Sequence, residues 1–316
     1  MKYLLIDTAN MFFRARHSAH RASDTWTKLG FALHLTMMSA NKVARRFGVG
    51  HVVFALEGRS WRKDFYTPYK RQRTEARAAQ SPREAEEDRV FWETFDQFKD
   101  FVINKTNTTV LQNPQLEADD LIAGWIQSHP KDNHVIISTD GDFAQLISPN
   151  VKQYNGVMQI TTTHEGYFDE KGKPVKDKKT GEAKGAPDPT WLLFEKCMRG
   201  DTSDNIFSAY PGVREKGTKN KVGLRDAFAD RDSKGWSWNN MMLQKWSDHE
   251  GVEHRVLDDY NRNVKLCDLT AQPDNIKTII KETINTATAA EKSIPQVGIR
   301  LLKFCAEFDL QKISEQ

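Results

Sequence analysis

Three short runs of apolar and β-branched residues, 3–6, 51–56 and 135–138, are each bounded by polar or turn residues, the pattern of strands buried on both faces of a parallel sheet. Between the first two, Leu29, Leu33, Met37, Ala40, Ala44 and Phe47 recur at helical spacing, and Gly48 is a natural stop. Ser81-Pro82-Arg83-Glu84 is a capping box with proline at the first helical position; Phe91, Phe95, Phe98 and Val102 continue it as one apolar stripe, predicting a helix over 82–104. Pro114 is read as opening a further helix that carries Glu117, Asp119 and Asp120, backed by Leu121, Ile122, Trp125 and Ile126. Strand, helix, strand order predicts an α/β fold. Ligands of such sheets bind outside the carboxyl ends of the strands, and Asp7, Glu57 and Asp140 lie just past those ends.

The C-terminal third is plainer. Trp191, Trp236, Trp238 and Trp246 read as helix-packing anchors, and Leu301, Leu302, Phe304, Phe308 and Leu310 as a final helix. Residues 164–189, rich in Lys, Gly and Asp, predict a surface hairpin or mobile loop rather than an added binding contact.

Length and composition narrow the class. The 316 residues can bury a sizeable core. No apolar run reaches bilayer length and the opening MKYLLID has no signal-peptide core, so a soluble, cytoplasmic protein is expected. Three widely spaced cysteines, Cys197, Cys267 and Cys305, argue against a disulfide framework or zinc site. The net charge of +3 says less than its distribution. Arg59, Arg62, Lys63, Lys70, Arg71, Arg73 and Arg77 face only Asp64 and Glu75 in their stretch, and Arg214, Lys216, Lys219, Lys221 and Arg225 face only Glu215. Either block alone reads equally as a solvated face; alternating with acidic motifs, they suit a polyanion.

Those motifs are IDTAN, VVFALEG, EADD, STDGD and GDTSDN, carrying Asp7, Glu57, Glu117, Asp119, Asp120, Asp140, Asp142, Asp201 and Asp204. Each has a plain reading by itself. Acids in a first helical turn complement the macrodipole, Asp-Gly makes a tight turn, and Asp201 and Asp204 suit caps or an Asx turn. Gathered in one cleft, however, carboxylates repel unless protonated or neutralised by divalent cations, and hard oxygen donors suit Mg²⁺ or Mn²⁺.

IDTANMFFRAR, YKRQR, EADDLIA, STDGDFAQL and GDTSDNI, in this order and spacing, resemble the 5′-nuclease family of flap endonucleases and 5′-exonuclease domains. The resemblance implies a PIN-like core over 1–200 with a mostly parallel central sheet, a helical arch over about 58–104, and a helical duplex-binding region over 201–316 containing a helix-hairpin-helix-like module. It implies one metal held by Asp7, Glu57, Glu117, Asp119 and Asp120, and a second by Asp140, Asp142, Asp201 and Asp204. Arg14 and Asn10 would organise the site and the 5′ strand, while Lys70 and Arg73 would grip the phosphate. Arg62, Lys63, Tyr66, Tyr69, Arg71 and Arg77, with Arg214, Lys216, Lys219 and Lys221, would contact nucleic acid; Phe65, Tyr66 and Tyr69 offer stacking faces, Phe65 equally a core residue. Two Mg²⁺ ions, replaceable by Mn²⁺, would clamp the scissile phosphate.

The implied substrates are DNA with 5′ tails or flaps and RNA–DNA hybrids. The implied setting is primer removal in phage replication inside a bacterial host, by a monomer that meets replication proteins such as a single-strand-binding protein. The sequence departs from the family at Glu57, where Asp is usual, and at 210–217, which lacks the Gly-hydrophobic-Gly turn of a monovalent-ion site. Two other readings are weighed against this one. A DNA-binding protein with impaired catalysis conflicts with the eight other acids and Lys70; a small-molecule metallophosphatase conflicts with the absence of a second Asp in Asp7-Thr8-Ala9 and leaves both basic blocks without a purpose.

Overall fold

A computed structural model describes residues 1–18, 25–289 and 292–307. In chain order its elements are β1 (Lys2–Asp7), α1 (Thr8–Ser18), α2 (Thr25–Phe47), β2 (His51–Ala55), α3 (Arg62–Phe65), α4 (Arg71–Ala78), α5 (Pro82–Lys105), β3 (Thr109–Leu111), α6 (Ala118–Ser128), β4 (Asn133–Ile137), β5 (Val151–Asn155), β6 (Ile160–Thr163) and β7 (Gly166–Phe168). Then follow α7 (Pro189–Arg199), α8 (Leu224–Ala229), α9 (Trp236–Met242), the hairpin β8 (Lys245–Ser247) and β9 (Glu253–Arg255), α10 (Val256–Cys267), α11 (Asp274–Thr288) and α12 (Val297–Glu307). The chain forms two compact units, each discontinuous in sequence: Met1–Ser60, Ala76–Pro187 and Asn275–Gln316 in one, Trp61–Glu75 and Asp188–Asp274 in the other.

The first unit is built on a seven-stranded sheet in the order β3-β2-β1-β4-β5-β6-β7, with β1 to β5 parallel and β6 and β7 antiparallel. The central strand β1 pairs in register with β2 (Asp7 opposite Ala55) and with β4 (Ile6 opposite Ile137). Leu4, Leu5 and Ile6 are fully buried, as a strand covered on both faces requires. Leu4 and Ile6 pack with Phe12 of α1, Leu33 and Val43 of α2 and the α5 stripe Phe91, Phe95 and Phe98. At the amino ends of the strands, Tyr3 stacks on His134 and meets Trp125 of α6 edge-on. Gly124 lets α6 approach α11, since a Cβ there would lie 2.2 Å from Ile280 Cγ2.

Several expected boundaries recur. Gly48 follows α2 at φ 58°, the left-handed geometry that ends a helix. The capping box at α5 forms both ways, Ser81 N–H donating to Glu84 Oε2 and Glu84 N–H to Ser81 Oγ. Pro114 differs: it lies in a turn in which Asn113 Oδ1 accepts from Gln115 N–H, and α6 begins only after Glu117. Residues 164–189 extend the sheet as an exposed hairpin, with bridges from Phe168 to Pro174 and Lys176 to Ala183. Phe304 stacks on Phe101 with ring centroids 4.3 Å apart; Phe308 and Leu310 lie outside the described residues.

The second unit is mainly helical. Trp191, Phe194 and Met198 of α7 pack with Leu224 and Ala227 of α8, Met241 and Met242 of α9, and Val256 of α10. A second cluster joins Tyr69, Cys197, Ile206, Leu266 and Cys267, the two cysteines being buried free thiols. Trp191 is a packing anchor as expected, whereas Trp236 is 74% exposed. Among the described residues no helix is long and apolar enough to cross a membrane.

Candidate metal centre

In the first unit the carboxylates gather at the carboxyl ends of β1, β2 and β4. Asp7 closes β1 and is nearly buried; its Oδ2 accepts from Ser138 Oγ at 2.8 Å, and its Oδ1 from Asn10 N–H at 3.3 Å. Ser138 follows β4 and also accepts from Asp140 N–H, at 3.0 Å. Asn10 Oδ1 accepts from both the N–H and the hydroxyl of Thr139. The serine and threonine of STDGD therefore join the first motif to the fourth. Asp140 caps a 3₁₀ turn over Gly141–Leu146 by accepting from Asp142 N–H at 3.0 Å, which is the tight-turn reading of Asp-Gly.

The EADD motif forms a compact group. Glu117 is the N-cap of α6, and its N–H donates to Asp120 Oδ2 at 3.3 Å, the shared face expected from their spacing. Glu117 is 2% exposed and Asp120 not at all. Each of Glu117, Asp119 and Asp120 offers an oxygen within 4.8 Å of the others. Glu57 Oε2 accepts from Ala118 N–H at 3.0 Å, so the longer side chain reaches the first turn of this helix. Gly58 makes that approach possible: its N–H donates to Leu116 O, and a Cβ would stand 2.2 Å from Asn113 O and 2.5 Å from Leu116 O. Ser60, buried at φ 78°, donates to Glu117 Oε2 at 2.7 Å. An oxygen-only donor set at a helix amino terminus fits a hard divalent cation, because buried like charges otherwise carry an uncompensated repulsion.

In the second unit a paired bridge between Asp201 and Ile206 closes the GDTSDNI loop. Gly200, at φ 74°, leaves no room for a side chain against Ile206 O. Burial by itself raises the Asp201 carboxyl, but the Lys196 ammonium at 2.6 Å and the Ser203 donors outweigh it and bring it down to about 2. Asp204 meets Arg73 Nη2 at 2.8 Å, Lys70 Nζ at 3.8 Å and the Tyr69 hydroxyl at 3.2 Å. Lys70 sits at φ 52° with its N–H on Asp204 O, and Asn205 at φ 57°. Lys70 and Asn205, both at positive φ, thus adjoin Asp204, and backbone strain of this kind is concentrated at functional sites.

The basic and aromatic candidates separate by exposure. Arg14, Arg71, Arg73, Arg77, Arg214, Lys216, Lys219 and Lys221 are exposed, and Lys63 half so. Arg62 is different: 1% exposed, its Nε donates to Leu266 O at 2.8 Å and its guanidinium stands over Trp61, so it serves packing and not phosphate contact. Tyr69 is also buried and orients Asp204 instead of stacking on a base, whereas Phe65 is 43% exposed and Tyr66 half-buried. Sequence reasoning missed Ser60, Ser138 and Lys196. A hydroxyl inside an acidic motif is a weak signal for Ser138; nothing in the sequence flags Ser60, two residues past VVFALEG, or Lys196.

The sequence pattern of the 5′-3′ exonuclease N-terminal resolvase-like domain matches residues 2–177. Ribonuclease H of Enterobacteria phage T4 is 32% identical over 279 residues, covering 82% of this chain and 78% of its own. DNA polymerase I of Chloroflexus aurantiacus is 28% identical over 232 residues, 70% of this chain, which spans only 21% of that relative. Among solved structures, a bacteriophage T5 flap endonuclease in a pseudo-enzyme–product complex with DNA and metal ions shares the fold with a TM-score of 0.58, at 17% identity, over 91% of this chain and 99% of that one. The acidic site at the ends of β1, β2 and β4 and the match across more than half of its length place this chain in the 5′-3′ exonuclease family.

Proposed function

We propose that the protein hydrolyses phosphodiesters from the 5′ end of DNA, and of RNA in RNA–DNA hybrids, and also cuts at flap junctions, using Mg²⁺ with Mn²⁺ as a substitute. The observation that carries this reading is the group Glu117, Asp119 and Asp120, with Asp7 and Glu57 at the neighbouring strand ends. These five are assigned to one cation; Asp140, Asp142, Asp201 and Asp204 are assigned to a second on the family pattern. Divalent cations so bound supply a Lewis acid for the phosphoryl oxygens and an acidified water, so no protein nucleophile is required.

The chain's own residues do the rest. Ser138 and Ser60 hold Asp7 and Glu117 in orientation. Asn10 fixes the turn after β4 through Thr139, and the neighbouring Arg14 is assigned to the 5′ strand. Lys70 and Arg73 balance charge that builds on the phosphoryl oxygens, Arg73 with a planar fork and Lys70 as a point charge. Arg71, Arg77 and Lys63 are assigned to the single strand, and Arg214, Lys216, Lys219 and Lys221 to duplex backbone. Such contacts read shape and charge, so specificity is for structure over sequence. Removal of RNA primers in phage replication, by a monomer, is the setting this activity fits.

A labelled-end cleavage assay on a 5′-flap duplex, a nicked duplex and a small phosphate ester tests the proposal. Cleavage of the flap and nicked substrates that stops with chelator and returns with Mg²⁺ is expected. Turnover of the ester alone, or cleavage indifferent to chelator, overturns the reading.

A further inference from the structure

We infer that Phe207, with Phe65 beside Tyr66, is a stacking platform for an unpaired nucleobase of the substrate's single-stranded tail; this rests on the nuclease reading above. Tyr69, one of the aromatics the sequence offers for stacking, is buried, while Phe207 is 54% exposed and directly follows the loop that carries Asp201 and Asp204. A lone exposed aromatic is ordinary. Phe207 differs in how its backbone is held. Its carbonyl accepts from Asn263 Nδ2 at 2.8 Å and Arg262 Nη2 at 3.2 Å, and Asn263 is itself fully buried and donates to Cys197 O. On the other side, the Asp201–Ile206 bridge and the close approach at Gly200 fix the preceding residues.

The ring therefore stands in solvent on a rigid support. It lies outside the buried core clusters and offers a preorganised π face at low ordering cost. Its neighbours suit a nucleic acid. Tyr66 meets Phe207 edge-on at 6.2 Å and lies under the Arg262 guanidinium at 5.1 Å. Phe65 is 43% exposed, with Lys265 Nζ 5.3 Å from its ring centre. Exposed rings interleaved with cations match alternating bases and phosphates, and stacking tolerates any base. Paired bases are already stacked within a duplex, so only an unpaired one can occupy the platform.

The test compares full-length wild type, Phe207→Ala and Phe207→Trp in chelator-containing buffer, where binding is read without cleavage. The probes are a 5′-tailed duplex with 2-aminopurine in the tail and a blunt duplex of equal length. Phe207→Ala is expected to weaken tailed-duplex binding by roughly 5- to 100-fold and to remove the 2-aminopurine quench. Blunt-duplex binding should stay the same, and Phe207→Trp should restore both tail signals. Unchanged tail binding in Phe207→Ala, as a protein-docking patch would give, overturns the platform; so does an equal loss on both probes. Wild-type cleavage of the tailed duplex with Mg²⁺ is scored separately. Its absence removes the nuclease reading, whereas its presence beside an indifferent Phe207→Ala removes the platform alone.

Discussion

Asp119 is half-buried in the first turn of α6, where its Oδ1 accepts from Asp120 N–H at 2.7 Å. Asp119→Asn keeps the shape but removes a charge. It is expected to lower flap cleavage by more than about 100-fold, while binding measured in chelator stays near wild type; retained turnover would refute the metal assignment. Ser138 touches no substrate in this scheme. Ser138→Ala should still raise the Mg²⁺ concentration for half-maximal activity, by roughly 10- to 100-fold, through loss of the Asp7 contact. A metal titration that superposes on wild type would show that this contact does not position the ligand. The acids themselves were legible in the sequence, since carboxylates just past strand ends are visible as a pattern. Their orienting partners were not: a serine hydroxyl that bonds Asp7 across 131 positions of chain has no local signature.

At the scale of elements, Gly58 decides whether Glu57 reaches α6. Gly58→Ala would press a methyl against two backbone carbonyls and is expected to cost about 1–3 kcal/mol in chemical unfolding, with a shifted metal optimum. The amino-terminal edge of the sheet carries a pH dependence. Burial lowers the His134 pKa below its usual 6.5, its Nε2 meets His129 O at 3.0 Å, and its Nδ1 is buried without a partner. A depressed folded-state pKa contributes stability that is present above about pH 6.5 and is lost as pH falls through the folded value. The melting temperature should therefore drop on acidification from pH 7, and less so in a His134→Phe variant; identical slopes would exclude this group as the cause. The strands, α2 and α5 follow the apolar pattern closely. The start of α6 does not, because the Asn113 turn and the Gly58–Leu116 hydrogen bond take up the residues after Pro114.

For the whole molecule, the proposed function has the two basic blocks set how strongly affinity for DNA depends on salt. Removing the exposed Lys219, assigned above to duplex backbone, by Lys219→Ala should reduce the slope of log affinity against log salt by about one unit with little change in turnover of bound substrate. Equal slopes for wild type and variant would withdraw Lys219 from the interface.

The order and spacing of the acidic motifs, together with three buried strand runs, were enough by themselves to give the family, the α/β class and the position of Asp7, Glu57 and Asp140 at strand ends, because strand burial and strand-end placement are local in sequence. Tertiary structure alone decided which side chains of a motif are exposed. Arg62 and Tyr69 look like ligands to a polyanion in one dimension and are interior in three, while Phe207, unremarked in the sequence, stands outside. Burial depends on what packs from distant segments, such as Leu266 over Arg62 and Asp204 over Tyr69, and no window of the sequence contains both partners.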